Sequence, residues 1–500
     1  MRNVLEYLEH TVEVCEGRTA VEDVSGSCTF GELYNRARCI GSRLAEVTEP
    51  RMPVAIYMEK GVDALTAFLG SVYAGCFYLF LNPELPDARL RDILEISGTR
   101  IALTEGERKG RLEKLSFSGH CLCLEEIGDE LQEEQLTAIR RQAVDTDPLY
   151  ANFTSGSTGK PKGVIVSHRS VLDFMGIFPD MFGIDGQDVI GNQAPFDFDV
   201  SVKDIYTSLK TGARLVIIPK AYFSFPTQLL DYLCERKVTT LIWAVSALVM
   251  VTALKGFAYR VPERINKVLF SGEKMPMKHL KAWRRHLPGA KFVNLYGPTE
   301  ITCNCTYYRI GPDFSGEELP IGQAFPNERV FLLDAEDRLV LEPGRQGEIC
   351  VAGTALALGY YRNPEETDKH FVQNPLNRDY IERIYRTGDL GMYGEDGLLY
   401  FAGRKDFQIK HRGHRIELEE IEAALYRVSG VEQNCCLFLE KKNHIAACYV
   451  GTAVEADIRR LLADILPAYM IPSLYRCLEV MPLKNGKIDR SALKALWEGR

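Results

Sequence analysis

The stretch Phe153-Thr-Ser-Gly-Ser-Thr-Gly-Lys-Pro-Lys-Gly163 puts three glycines, four hydroxyl side chains and two lysines into eleven positions. Amides freed by glycine, with hydroxyls beside them, can wrap phosphate oxygens, and lysine adds charge. No Gly-Lys-Ser/Thr closes the stretch, and Val164-Ile-Val166 reads as strand, so it departs from the phosphate loop that opens a helix. A polar surface loop is the competing reading. In Phe292-Val-Asn-Leu-Tyr-Gly-Pro-Thr-Glu300 a strand runs into Gly-Pro and presents Tyr296, Thr299 and Glu300: a flat π-face, a hydroxyl and a hard oxygen ligand. In Tyr385-Arg-Thr-Gly-Asp389 a carboxylate follows a glycine turn and can accept bonds from vicinal hydroxyls. Asp199, within Phe196-Asp-Phe-Asp-Val-Ser-Val202, lies among aromatic and apolar residues, where a carboxylate is costly unless it meets a cation. A helix cap is the alternative there. Lys487 follows Gly486 in Pro482-Leu-Lys-Asn-Gly-Lys-Ile-Asp-Arg490, and a solvated turn lysine is its alternative.

Strands and helices in alternation must position these groups. Thr29 reads as the cap of a helix carrying Leu33, Ala37, Ile40 and Leu44, after an opening helix with Tyr7, Leu8, Val12 and Val14. Val54–Met58 and Phe77–Leu81 read as short buried strands around a helix from Ala64 to Ala74, and a further helix is expected from Val202 to Leu209. This order implies an α/β fold with parallel strands, whose ligands gather at the strands' carboxyl ends.

Five hundred residues exceed one ordinary core, so two or more domains are expected. A formal net charge of −8 without a basic block argues against nucleic-acid binding. The charged N-terminus excludes a signal peptide there, and no apolar run is long enough for a membrane span, so a cytoplasmic protein without membrane insertion is expected. The fourteen cysteines lack metal-ligand spacing and read as reduced thiols.

Taken in order, Ala74–Pro86, 153–163, Asn192–Val202, 292–300, 385–389, Phe401–Lys410 and 482–490 resemble the adenylate-forming superfamily of nonribosomal-peptide adenylation domains, acyl-CoA synthetases and luciferases. Asn192-Gln-Ala-Pro-Phe-Asp-Phe-Asp-Val-Ser-Val202 is close to the wording of the stand-alone D-alanine–D-alanyl carrier protein ligases. The resemblance implies a large multi-sheet N-terminal domain, residues 1–403, and a small mobile α+β C-terminal domain, residues 404–500, with Asp406 at the hinge.

By the same resemblance ATP is held by Thr154, Ser155, Gly156, Ser157, Thr158 and Lys162, by Asn294 at the adenine amine, by Tyr296 stacked on the base with Gly297 beside it, and by Asp389 and Arg404 at the ribose. Thr299 would touch the α-phosphate, and Glu300 with Thr158 would hold Mg²⁺. Asp199 would grip the α-ammonium of an amino acid, and Lys487 would bridge its carboxylate and ATP, with Lys484 as a rival because the motif is one residue short. Val200, Lys203, Trp243, Ser271, Leu295, Cys303 and Asn304 would shape the side-chain slot. Trp243 and Leu295 take up volume and favour a small amino acid, whereas Lys203 meets either an acidic side chain or Asp204 or Asp197. D-alanine ligases carry cysteine at Ser271 and an apolar residue at Lys203, and these departures count against D-alanine itself. The implied activity is formation of aminoacyl-AMP and transfer to the phosphopantetheine thiol of a carrier protein. An acyl- or aryl-CoA ligase is the rival, disfavoured by Asp199, and a silent scaffold is disfavoured by the intact set of polar residues.

Overall fold

The buried runs form adjacent parallel strands, Pro53–Tyr57 and Phe77–Phe80, with Pro53 opposite Phe77. The helix between them, Val62–Tyr73, packs on Phe30–Ala45, where a Cβ at Gly70 would stand 2.4 Å from Ile40 Cγ2. Thr29 caps that second helix through a full capping box with Glu32, which satisfies two amides at the helix start. The computed structural model describes residues 1–156, 159–440, 442–484 and 487–498. In the opening helix, Leu5–Cys15, Tyr7 and Leu8 are buried but Val14 is 78% exposed, because it falls on the face opposite the core.

Among the described residues the strands build three large sheets. A nine-stranded sheet carries Lys291–Tyr296, Lys267–Ser271, Thr240–Ala244 and Val189–Asn192 as parallel neighbours in that order. A seven-stranded sheet holds Pro148–Thr154 antiparallel to Lys162–Ser167, so the Gly/Ser stretch joins two paired strands. A six-stranded sheet includes Arg383–Tyr393 and Gln346–Gly353. Asp389 therefore lies inside a long strand rather than after a closing turn. Gly388, at φ +71°, admits an irregularity in pairing between Glu348 and Cys350, and the strand continues through it.

Beyond Arg404 come a hairpin, Gln408–His411 with His414–Glu417, the helix Leu418–Leu425, and a three-stranded sheet with Val431–Leu439 beside His444–Gly451. Ile416, Ile421, Leu425, Ile445 and Leu462 are buried together there in an apolar cluster of their own. No helix among the described residues is long and apolar enough to cross a membrane.

Candidate active site

Parallel pairing aligns the carboxyl ends of three strands, with Ala244 opposite Ser271 and Phe270 opposite Asn294. Trp243, Ser271, Leu295 and Tyr296 thus converge at one sheet end, and all four are buried. After Tyr296 the chain turns sharply. Thr302 and Cys303 are both left-handed, at φ 51° and 77°, a conformation that costs non-glycine residues ~1–3 kcal/mol each. The turn folds Asn304 onto Gly297, where a Cβ would stand 2.5 Å from the Asn304 Cα, so only glycine fits at 297.

Asp199 occupies the cap position of the helix Val200–Thr211, yet its side chain makes no capping bond. Its carbonyl accepts the Cys303 thiol at 3.0 Å. Burial raises the Asp199 carboxyl, with Lys203 and Thr299 holding it down in part. Lys203 is fully buried and donates to Asn304 Oδ1 at 2.6 Å. It forms no bond to Asp204 or Asp197, the partners considered from sequence. Asp204 accepts from Asn192 at 2.5 Å, and Asp197 accepts from Asn82 at 3.3 Å. Burial pushes these two carboxyls up to about 7 and about 6. Trp243 spends its indole N–H on the Gly191 carbonyl at 2.7 Å and packs edge-on against Phe223. Val200 is half-buried and lines the cleft above.

Around the expected nucleotide position, the Tyr296 hydroxyl donates to Asp389 Oδ2 at 2.5 Å. Arg404 pairs with both Asp389 and Asp406, at 2.6 Å to the latter. Asn294 donates to the Pro320 carbonyl at 2.9 Å. Lys410, a residue that sequence reading passed over, holds its ammonium 5.5 Å above the Tyr296 ring. Burial lowers its pKa. The available signal was a lysine inside the semi-apolar run Phe407-Gln-Ile-Lys410.

Thr154 ends its strand, with its hydroxyl 3.5 Å from the Lys162 carbonyl. Ser157 and Thr158 fall outside the described residues. Ser155 donates to the Arg415 carbonyl at 2.8 Å, and the Gly156 N–H donates to Glu420 Oε2 at 3.2 Å. Glu420 is in turn ion-paired with Arg89. Lys162 lies 3.5 Å from Glu366 and 4.9 Å over the Tyr360 ring.

Thr299 opens a short turn of helix that carries Glu300, which is completely buried. Arg415 Nη1 donates to both Glu300 oxygens at 2.8 and 2.7 Å, and Tyr360 donates at 2.7 Å. Burial would raise this carboxyl, but Arg415 and Lys162 bring it down to about 2. A magnesium ion does not fit Glu300 in this arrangement, because a guanidinium already stands on both oxygens. Among the described residues no cluster of three acidic, histidine or cysteine side chains offers an alternative. Arg415 and Tyr360 carried no sequence signal, since their partner lies far away in the chain.

The tip of the hairpin reaches the same region. Gly413 takes φ +81° and donates its N–H to Glu273, with the Ser246 hydroxyl and Ala244 close by. His414 stacks on Tyr469 at 3.6 Å and meets Phe198 edge-on at 4.8 Å. Between hairpin and sheet ends lies a cleft of about 2910 Å³, bordered by Phe198, Ala244, Ser246, Glu273, Lys410 and Gly413. Lys487 is not brought to Asp199. It is exposed on the small hairpin Leu483–Lys484 with Lys487–Ile488, opposite Lys484, and neither lysine borders the cleft.

The chain belongs to the AMP-binding enzyme family, whose profile matches residues 8–361. It is 31% identical over 98% of its length to tyrocidine synthase 1 of Brevibacillus parabrevis, covering 45% of that protein. It is 32% identical to zwittermicin A synthase ZmaJ of Bacillus cereus, over 94% of this chain and 90% of that one. The chain spans less than half the length of the first curated relatives it matches. Among solved structures, holo-PA1221, an NRPS protein containing adenylation and PCP domains, superposes with a TM-score of 0.85 at 25% identity over 98% of this chain and 84% of that one. IdnL1 does so with 0.84 at 28% identity over 96% and 99%.

Proposed function

We propose that the enzyme activates an amino acid as aminoacyl-AMP and passes the acyl group to the phosphopantetheine thiol of a carrier protein. The observation that carries this reading is the buried Asp199. The cations acting on it, Lys203 and Lys410, form no salt bridge with it, and Lys203 is committed to Asn304. A carboxylate so placed favours a ligand that brings its own ammonium. Fatty and aryl acids bring none. The likeness to tyrocidine synthase 1 and to an NRPS protein containing adenylation and PCP domains supports the same direction.

In the first step the substrate carboxylate attacks the α-phosphorus of ATP and pyrophosphate leaves. Lys487 would offset the charge that builds there, which requires the C-terminal residues to turn about Asp406 from the orientation described. In the second step a thiol attacks the acyl carbon and AMP leaves. The docked hairpin, with Gly413 at the cleft and Lys410 over Tyr296, suits that step. Residues 1–403 and 404–500 would then be the two moving parts. Lys203 reaches across to Asn304 and shortens the side-chain slot, which favours a small amino acid over a long one.

ATP–pyrophosphate exchange across a panel of amino acids tests the first step, with activity expected for small residues. Activity confined to aspartate and glutamate would overturn that choice, and activity confined to fatty or aryl acids would overturn amino-acid activation. Offering coenzyme A beside a phosphopantetheinylated carrier decides the acceptor, with thioester expected on the carrier.

A further inference from the structure

Glu273 follows the strand Lys267–Ser271 through Gly272, whose φ of +98° turns the chain at the carboxyl end of the sheet and brings the carboxylate to the border of the cleft. One of its oxygens, Oε1, accepts the Gly413 N–H at the tip of the hairpin. The other, Oε2, has no hydrogen-bond partner among the described residues and is not sealed from the cleft. Burial raises this carboxyl above its ordinary range, and the Gly413 amide and the Lys410 ammonium bring it partly down. Neither ATP binding nor the grip on the amino acid uses this group. Lys410, over the Tyr296 ring, acts on Asp199, Asp389 and Glu273 alike. An acyl-AMP held between Asp199 and Asp389 would therefore carry its carbonyl carbon beside the space that Glu273 and Ser246 border. The other charged and titratable groups near the tip are engaged elsewhere or unsuited to take a proton. Asp389 and Asp406 pair with Arg404, and Lys274 pairs with Glu318. His414 is stacked on Tyr469 with its pKa lowered to about 3, and Lys410 and Arg412 supply positive charge instead.

We propose that Glu273 is the general base of the transfer step, its Oε2 taking the proton of the incoming thiol as the sulfur attacks the acyl carbon. The S–H bond breaks while the C–S bond forms. The bond from the acyl carbon to the phosphate oxygen then breaks, its electron pair leaves with AMP, and the carboxylic acid returns its proton to solvent. The thiolate is the nucleophilic form, and at pH 7 a thiol of pKa about 8.5 is only about one-thirtieth ionised, so a base within reach is worth about that factor. The Gly413 amide fixes the carboxylate's orientation. This role presupposes transfer to a thiol, the second step of the proposed reaction.

Single-turnover thioester formation by the whole chain tests it between pH 7 and 9, from the supplied aminoacyl-AMP of the preferred amino acid and with pantetheine as the thiol. Glutamine keeps an oxygen for the Gly413 N–H but takes no proton. Glu273→Gln should therefore be slower than wild type by at least about tenfold at pH 7 and within about threefold of it at pH 9, where the thiol ionises unaided. Formate, small enough for the space left by Glu273→Ala, should restore part of the rate that variant loses at pH 7. A glutamine variant within about threefold of wild type at pH 7 overturns the role. So does one slowed equally at every pH whose alanine counterpart formate does not revive, the mark of a group that only anchors the hairpin. A wild type that makes no thioester from aminoacyl-AMP with pantetheine or coenzyme A removes the transfer step itself, and the base with it.

Discussion

The Lys203 ammonium donates to the Asn304 side-chain oxygen at 2.6 Å, joining the first turn of the helix Val200–Thr211 to the residue that follows two left-handed positions. On the proposed reading this bond would limit the depth available beyond Asp199. Lys203→Ala removes it and leaves the buried Asn304 oxygen unpartnered, a loss of ~1–3 kcal/mol. Pyrophosphate exchange with the preferred small amino acid should fall about tenfold, while longer apolar amino acids gain relative to it.

Lys487 lies away from the cleft in the docked orientation. Lys487→Ala should therefore leave thioester formation from supplied aminoacyl-AMP nearly intact. Amino-acid-dependent pyrophosphate exchange should fall by about two orders of magnitude or more, with ATP affinity barely changed. Lys484→Ala is the control, since Lys484 faces Lys487 across the hairpin. Greater loss from Lys484→Ala would exchange the two roles.

Gly413→Ala places a methyl group at φ +81°, 3.2 Å from the Ser246 hydroxyl and 3.3 Å from Ala244 Cβ. The left-handed backbone alone costs ~1–2 kcal/mol for an alanine. Transfer to the carrier should slow about tenfold, with adenylation unchanged, in single-turnover assays of the two steps.

His414 should make the second step sensitive to acid. Burial, then the cations Lys220 and Arg412 and the neighbouring His411, lower its pKa from 6.5 to about 3. A pKa depressed on docking means that the released hairpin binds the proton more readily. Docking is then fully favoured above pH 6.5 and weakens as pH falls below it, by at most about tenfold per unit and less where solvent reaches the ring. Thioester formation measured between pH 5.5 and 7.5 should decline on the acid side, and His414→Phe should flatten that decline.

Most of the scaffold was legible from local pattern. The buried strand at Val54, the cap at Thr29 and the strand leading to Tyr296 each depend on neighbours a few residues away. The turn that the sequence predicts at Asp389 is a strand interior, because a glycine such as Gly388 suits a bulge within a strand as well as a bend. The ionic contacts of the site were not legible. Arg415 with Glu300 and Arg89 with Glu420 pair residues 115 and 331 positions apart, and no periodicity records such distances. The sequence marks Lys203 as a cation needing a partner, but its choice of the Asn304 amide depends on the turn at Thr302 and Cys303.

Gly297 stands against Asn304, so the loop expected to face the nucleotide and the wall of the amino-acid slot are one piece of backbone. A change at residue 304 that moved its backbone would press on Gly297 beside the proposed adenine shelf. On the proposed reading selectivity and cofactor grip would share one stretch of backbone, and a graft would be expected to carry the whole 296–304 corner rather than isolated side chains.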